Sequence, residues 1–263
     1  MSNDRQESAP ENAVELELDG PIAIVTLNRP TVRNSLDLAT ARMLSEAIER
    51  VESDGSVRVG IITGAGNVAF SAGADLRARE RGEPRAVIGD HGFGGFVRRQ
   101  RKKPFIAAVN GYAVGGGLEI AMACELVVAA PNATFALPEP LRGLIAANDC
   151  LPMALARLPI AMAWEIALTG RQLSAAEALA CGMINRVEEN ALAAARKLAA
   201  EVAACAPLAL EATIELMRAL KPVVPEGYYA LGDGLQARLM KTADAAEGSR
   251  SFLEKRAPAW SGS

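Results

Sequence analysis

Asn110-Gly111-Tyr112-Ala113-Val114-Gly115-Gly116-Gly117-Leu118-Glu119 is the stretch on which the reading of this chain turns. It follows an apolar run, residues 105–109, that suits a buried strand, and it leads into a helical run, residues 118–124. Three consecutive glycines at a helix start leave backbone N–H groups free and unshielded. Those donors, aided by the helix dipole, suit a developing negative charge. The competing reading is a tight turn that lets helix pack on strand; the adjacent glutamate favours function. Glu119 lies between Leu118 and Ile120, just before Ala121-Met122-Ala123. Burying a carboxylate is unfavourable unless it is paired or protonated, and its pKa rises. That is how a glutamate becomes an acid or base near neutral pH.

Two further segments belong with it. Phe70-Ser71-Ala72-Gly73-Ala74-Asp75-Leu76 follows a strand expected at residues 57–63, and its small residues admit another molecule close to the backbone. Alone, this segment reads equally well as a tight turn. Downstream, Glu139 sits in Phe135-Ala136-Leu137-Pro138-Glu139-Pro140, again apolar after an expected strand. Each glutamate by itself suits a structural ion pair. Two of them near a donor-rich loop make an acid/base pair.

Around these segments the chain alternates strand and helix. Residues 14–18 and 22–27 read as a hairpin about Asp19-Gly20-Pro21, and residues 36–51 as an amphipathic helix. Residues 57–63, 105–109 and 126–130 read as buried strands with helical patterns between them, an α/β architecture with parallel pairings. From Met153 onward the pattern is helical apart from a short strand at 184–187. Ser174-Ala175-Ala176-Glu177 is a capping-box pattern for a short helix that stops at Gly182. Residues 190–205, 208–220 and 228–240 read as helices punctuated by Pro207, Pro222 and Pro225, with a last short helix at 250–255. The expected organisation is a core over residues 13–190 and a helical region over 191–263, with residues 1–12 a loose tail.

Composition removes several alternatives. Half of the 263 residues are hydrophobic and 22% are charged, as in an ordinary globular protein, with a net charge of −3. No broad attraction to nucleic acid follows from that balance, and the one basic run, residues 98–103, reads as a solvated helix face. Cys124, Cys150, Cys181 and Cys205 are widely spaced with no C-x-x-C pair, so zinc and redox motifs lack support. Buried free thiols are the simplest account of them. His91 is the single histidine and no G-x-S-x-G accompanies it, so it reads as a surface-loop residue. A basic start with an apolar run is missing, as is an apolar span of about 20 residues, so a cytoplasmic protein is expected.

With the residues in view, the resemblance is plain. Leu27-Asn28-Arg29-Pro30, the 71–76 loop, residues 110–119 and Leu137-Pro138-Glu139 are similar to the ordered motifs of the crotonase superfamily, the enoyl-CoA hydratase/isomerase family. The match runs in register from Ala13 to Trp260, with Glu139 falling twenty residues after Glu119. The resemblance implies a spiral of ββα turns forming two sheets, closed by a helical region that mediates trimer contacts, with trimers pairing into hexamers. It implies no metal and no redox cofactor, since coenzyme A arrives as part of the substrate. The thioester oxygen would sit between the N–H groups of Ala74 and Gly116, where preorganised donors stabilise an enolate. Arg29, Ser71, Ala72, Asp75, Leu76 and Gly115 would hold the CoA ester. Glu119 would activate the added water and Glu139 would exchange the proton at Cα. Enoyl-CoA hydration is the implied activity, with isomerisation or non-catalytic acyl-CoA binding as alternatives.

The family's G-x-x-P-x-x-G-G wall is altered here. The chain reads Gly143-Leu144-Ile145-Ala146-Ala147-Asn148-Asp149-Cys150, placing Asp149 and Cys150 where a glycine pair is expected. Two readings of Asp149 are open: contact with a polar or cationic acyl group, or a cap on the next helix. Phe70-Ser71-Ala72-Gly73, Gly94-Gly95-Phe96, residues 135–139 and the ending Glu254-Lys255-Arg256-Ala257-Pro258-Ala259-Trp260 also resemble the carnitinyl-CoA dehydratase branch of the family.

Overall fold

A computed structural model describes residues 12–147, 149–220 and 224–263. Of the sequence readings, the tail up to Glu11, Asn148 and Pro222 lie outside the described residues. The strands are β1 (Val14–Asp19), β2 (Ile22–Leu27), β3 (Val59–Gly64), β4 (Ala69–Ser71), β5 (Phe105–Val109), β6 (Tyr112–Val114), β7 (Leu126–Ala129), β8 (Thr134–Ala136), β9 (Leu173–Ser174) and β10 (Arg186–Val187). The helices are α1 (Leu38–Ser53), α2 (Leu76–Glu80), α3 (Gly116–Ala123), α4 (Cys150–Arg157), α5 (Ile160–Thr169), α6 (Ala175–Ala180), α7 (Ala191–Ala203), α8 (Pro207–Ala219), α9 (Tyr228–Leu239) and α10 (Ala243–Leu253).

The strands form two sheets, ordered β1-β2-β3-β5-β7-β10 and β4-β6-β8-β9. The chain alternates between them: β3 is followed by β4, β5 by β6 and β7 by β8, one strand per sheet per turn of a spiral. All neighbours in the large sheet are parallel except the β1–β2 hairpin, in register from Val14↔Leu27 to Asp19↔Ile22. Its central strands β3 and β5 are buried at every residue, because both faces of the sheet are covered. Alternate residues serve the two faces. Ile24, Val59, Ile61, Ile106 and Val128 pack against Ala195, Leu198 and Ala199 of α7. Val25, Ile62, Phe105, Ala107 and Val127 face a larger core with Leu44 and Ile48 of α1 and Leu118 of α3. Thus α7, which the sequence reading placed in the helical region, covers the outer face of the large sheet.

Local details follow from the sequence. Asp37 caps α1 by accepting from the Thr40 N–H at 2.7 Å, so the helix starts at Leu38 and Leu36 is a buried anchor before it. Ser174 and Glu177 form the expected capping box of α6. The terminal helix α10 is longer than expected and begins at Ala243, where Thr242 caps it. The basic run at 98–103 is solvated only in part, at Gln100 and Lys102. Arg99 and Arg101 are buried, and Arg101 donates to the carbonyls of Phe96 and Ala123 while stacking 4.0 Å from the Phe96 ring centre. Cys124 and Cys150 are buried, whereas Cys205 is exposed, against the expectation of four buried thiols. His91 is exposed, as read.

Candidate active site

The small sheet decides where the site lies. Strands β4, β6 and β8 are parallel neighbours, so their carboxyl ends share one edge. The 72–75 loop leaves β4, the glycines and α3 leave β6, and a 3-10 turn, Glu139–Arg142, leaves β8. Ala74, Gly116, Glu119 and Glu139 are therefore gathered at a single edge by topology. The Gly115 N–H donates to the Ala136 carbonyl at 3.0 Å, tying two of these exits together.

Glycine is required where these segments meet. Gly73 has φ +79°, and a Cβ there would stand 2.7 Å from the Gly116 nitrogen and 2.8 Å from the Val114 oxygen. A Cβ on Gly117 would reach within 2.1 Å of the Ser71 oxygen. The 71–76 loop is thus pressed onto the start of α3. Ala74 is exposed and its flanks are fixed: the Leu36 N–H donates to the Gly73 carbonyl at 2.8 Å, and the Asp75 N–H to the Leu36 carbonyl at 2.9 Å. Among the described residues the Ala74 N–H has no acceptor. Gly116 opens α3, so its N–H has no acceptor within the helix.

The loop's polar side chains are engaged by the protein itself. Ser71 Oγ donates to the Asn34 carbonyl at 2.8 Å and accepts from the Gly73 N–H at 3.1 Å. Asp75 caps α2 through the N–H groups of Arg77 and Ala78 and pairs with Arg29 at 3.2 Å. Arg29 also pairs with Asp37 at 3.1 Å and donates to the Ser35 carbonyl at 2.8 Å. The Arg29 guanidinium, expected at the coenzyme A site, is engaged by these partners and braces the 71–76 loop. The loop offers a ligand its backbone together with Ala72, Ala74 and Leu76, which are at least partly exposed.

The two carboxylates differ from ordinary glutamates. Glu119 is only 1% exposed. Burial pushes its pKa up to about 8; the nearby Asp149 charge adds to this, the Asp149 N–H opposes it, Glu139 raises it and Arg98 lowers it. That N–H donates to Glu119 Oε1 at 2.5 Å. Burial likewise pushes Glu139 up to about 7. Its Oε2 is buried without a partner among the described residues. Gly115, at φ +54°, gives way to this carboxylate: a Cβ there would lie 2.9 Å from Glu139 Oε1. Free donors at a strand edge beside two carboxylic acids with pKa values raised towards neutrality are the groups that oxyanion chemistry requires.

Asp149 and Cys150 do border this site. The Asp149 side chain makes no cap on α4, contrary to one of the two readings. Its carboxylate is engaged instead by Arg98 Nε and by the Tyr229 hydroxyl, both at 2.6 Å. Arg98 lies 3.7 Å from the Tyr229 ring centre. The Cys150 Sγ is 3.7 Å from the Gly115 carbonyl, and burial holds its thiol well above the usual range. Sequence reasoning missed Arg98 and Tyr229. Neither stands in a motif, and they join Asp149 from 51 and 80 residues away.

Comparison with known proteins agrees with the geometry. The enoyl-CoA hydratase/isomerase family model matches residues 17–263. A carnitinyl-CoA dehydratase of Salmonella typhi is 42% identical over 95% of this chain and 98% of its own length. The crystal structure of a carnitinyl-CoA hydratase from Mycobacterium avium superposes with a TM-score of 0.90 at 37% identity, covering 97% of this chain and all of that one. An enoyl-CoA hydratase from Mycobacterium tuberculosis superposes with a TM-score of 0.77 at 39% identity, covering 96% of this chain and 100% of that one. This chain belongs to the enoyl-CoA hydratase/isomerase family.

Proposed function

We propose that this chain is a hydro-lyase that adds water across the 2,3-double bond of an enoyl-CoA thioester, and removes it in reverse. One observation carries the reading: two carboxylic acids with pKa values raised towards neutrality stand at the strand edge that presents the Ala74 and Gly116 N–H groups. In the hydration direction Glu119 takes a proton from water as its oxygen bonds to Cβ. The displaced electron pair moves to the thioester oxygen, where the two N–H groups stabilise it. Glu139 then delivers a proton to Cα, so the acid pair begins and ends with one proton. The reaction as proposed draws on no metal or redox cofactor, and coenzyme A enters with the substrate.

The relatives named carnitinyl-CoA dehydratase support a second reading for the acyl group, a chain ending in a quaternary ammonium. Asp149 does not support it, because Arg98 already neutralises that carboxylate. Loss of the conjugated-thioester absorbance of crotonyl-CoA and of crotonobetainyl-CoA, followed side by side, tests both. Turnover of the first supports simple enoyl hydration, turnover of only the second supports the dehydratase, and neither would contradict the reading.

The working form we propose is a homotrimer or a dimer of trimers in the cytoplasm, serving acyl-CoA breakdown such as fatty acid metabolism. Leu208, Leu216, Met217 and Leu220 at and beside α8 are more than 60% exposed and support an assembly surface. Among the described residues no helix is long and apolar enough to cross a membrane.

A further inference from the structure

The geometry points to Arg98, Asp149 and Tyr229 as a clamp of positioning residues that aims one backbone N–H at Glu119 and leaves the other Glu119 oxygen for the reacting water. The inference rests on the hydro-lyase reading and deepens it. Asp149 N is the only protein group that bonds to the Glu119 carboxylate among the described residues, at 2.5 Å on Oε1. The direction of that N–H depends on how Asp149 is held, and the capping interaction that would ordinarily hold it is missing. Its two carboxylate oxygens are bound by groups from different parts of the fold. Oδ2 meets Arg98 of the segment before β5, and Oδ1 meets Tyr229 of the first turn of α9. Stacking of Arg98 on the Tyr229 ring closes the triangle. Gly92, at φ +74°, leaves room for the Arg98 stem, since a Cβ there would stand 2.9 Å from Arg98 Cγ. Asp149 is 5% exposed, so its charge is uncompensated once Arg98 is lost.

The charges around Glu119 make the clamp readable. Facing it are Asp149 and Cys150 at the start of α4, Glu139 from the 3-10 turn, Arg98 from the segment before β5 and Tyr228 from α9. The Asp149 charge raises the Glu119 pKa and Arg98 lowers it. Removing one or the other therefore moves Glu119 in opposite directions. Tyr229→Phe leaves both charges and loosens only the orientation. A residue that merely supports folding would give neither pattern.

The test compares Tyr229→Phe, Asp149→Asn, Arg98→Gln and Arg98→Lys with the parent protein in enoyl-CoA hydration against pH. Tyr229→Phe should lower kcat about tenfold with KM within about twofold. Asp149→Asn should lower kcat further and displace the Glu119-governed limb to lower pH, and Arg98→Gln should displace it to higher pH. Arg98→Lys, which keeps the charge, should keep the limb in place. Folded Tyr229→Phe and Asp149→Asn proteins with parental kcat and parental pH profile would overturn the clamp. A substrate-free readout separates this from failure of the hydro-lyase reading. The pH dependence of the stability difference between each protein and its Glu119→Gln counterpart reports the Glu119 titration, and its midpoint should fall in Asp149→Asn. An unmoved midpoint overturns the clamp even if the parent protein hydrates nothing, whereas absent turnover with a moved midpoint contradicts only the hydro-lyase reading.

Discussion

The two halves of the site are built differently. The donor half, around Ala74 and Gly116, is backbone, brought together by glycines at which any Cβ would collide. Its polar side chains, Ser71, Asp75 and Arg29, hold the loop and leave two N–H groups unused. The acid half is side chain. Glu119 is buried and Glu139 half-buried, with one bonded N–H between them and an orphaned buried oxygen on Glu139. The donor half should therefore respond to shape and little to pH, and the acid half the reverse.

The largest expected effect breaks the acid half. Glu139→Gln should lower kcat by about 10³-fold, within the usual range for a general acid/base, with acyl-CoA affinity nearly unchanged. Calorimetric binding beside turnover checks both parts. Gly73→Ala should follow, with a loss of about 10²-fold, because its Cβ displaces the Gly116 nitrogen and its φ of +79° strains any other residue. The comparison is sharpened if the remaining activity of Gly73→Ala keeps the parental pH limbs. Arg29→Ala should leave Asp37 and Asp75 buried without their cation and reduce unfolding free energy by about 3 kcal/mol, read from denaturant melts.

The smallest effect is in stability against pH. Burial pushes Glu119 up to about 8 in the fold, above the ordinary 4.5 of a glutamate. A raised carboxyl pKa means that stability present at low pH is lost as pH rises through the folded value. Glu119→Gln, which keeps an acceptor for the Asp149 N–H, should thus gain on the parent protein from pH 5 to pH 9 by about 2 kcal/mol. A flat difference between the two melting curves would show that Glu119 is not buried as an acid. The donor-half variant Gly73→Ala should show no such trend.

The large sheet was legible because its central strands β2, β3 and β5 are five or six mostly apolar residues long and bounded by turns. The small sheet was not. β4, β6 and β8 have three residues each, too few for a period, and are defined only by the strands beside them. Glu119, Glu139 and the glycine turns were legible because each is a local departure from apolar surroundings. The site's outer layer was opaque for the opposite reason. Arg29 and Asp75 have the residue types of ligand-binding groups, and only the fold shows them paired with each other. Asp149 read in sequence as an acyl-group contact or a helix cap, and its partners Arg98 and Tyr229 reach it through space. The same long-range pairing buries Arg101 against Glu125, within a run read as solvated throughout.

The most direct test of the central claim is the ultraviolet absorbance of a conjugated enoyl-CoA thioester, crotonyl-CoA first and crotonobetainyl-CoA beside it, with free thiol assayed in the same cuvette. The account predicts loss of the conjugated band without thiol release, and its abolition in Glu139→Gln. Persistence of the band with both substrates, or its loss together with thiol release, would contradict a hydro-lyase at this site.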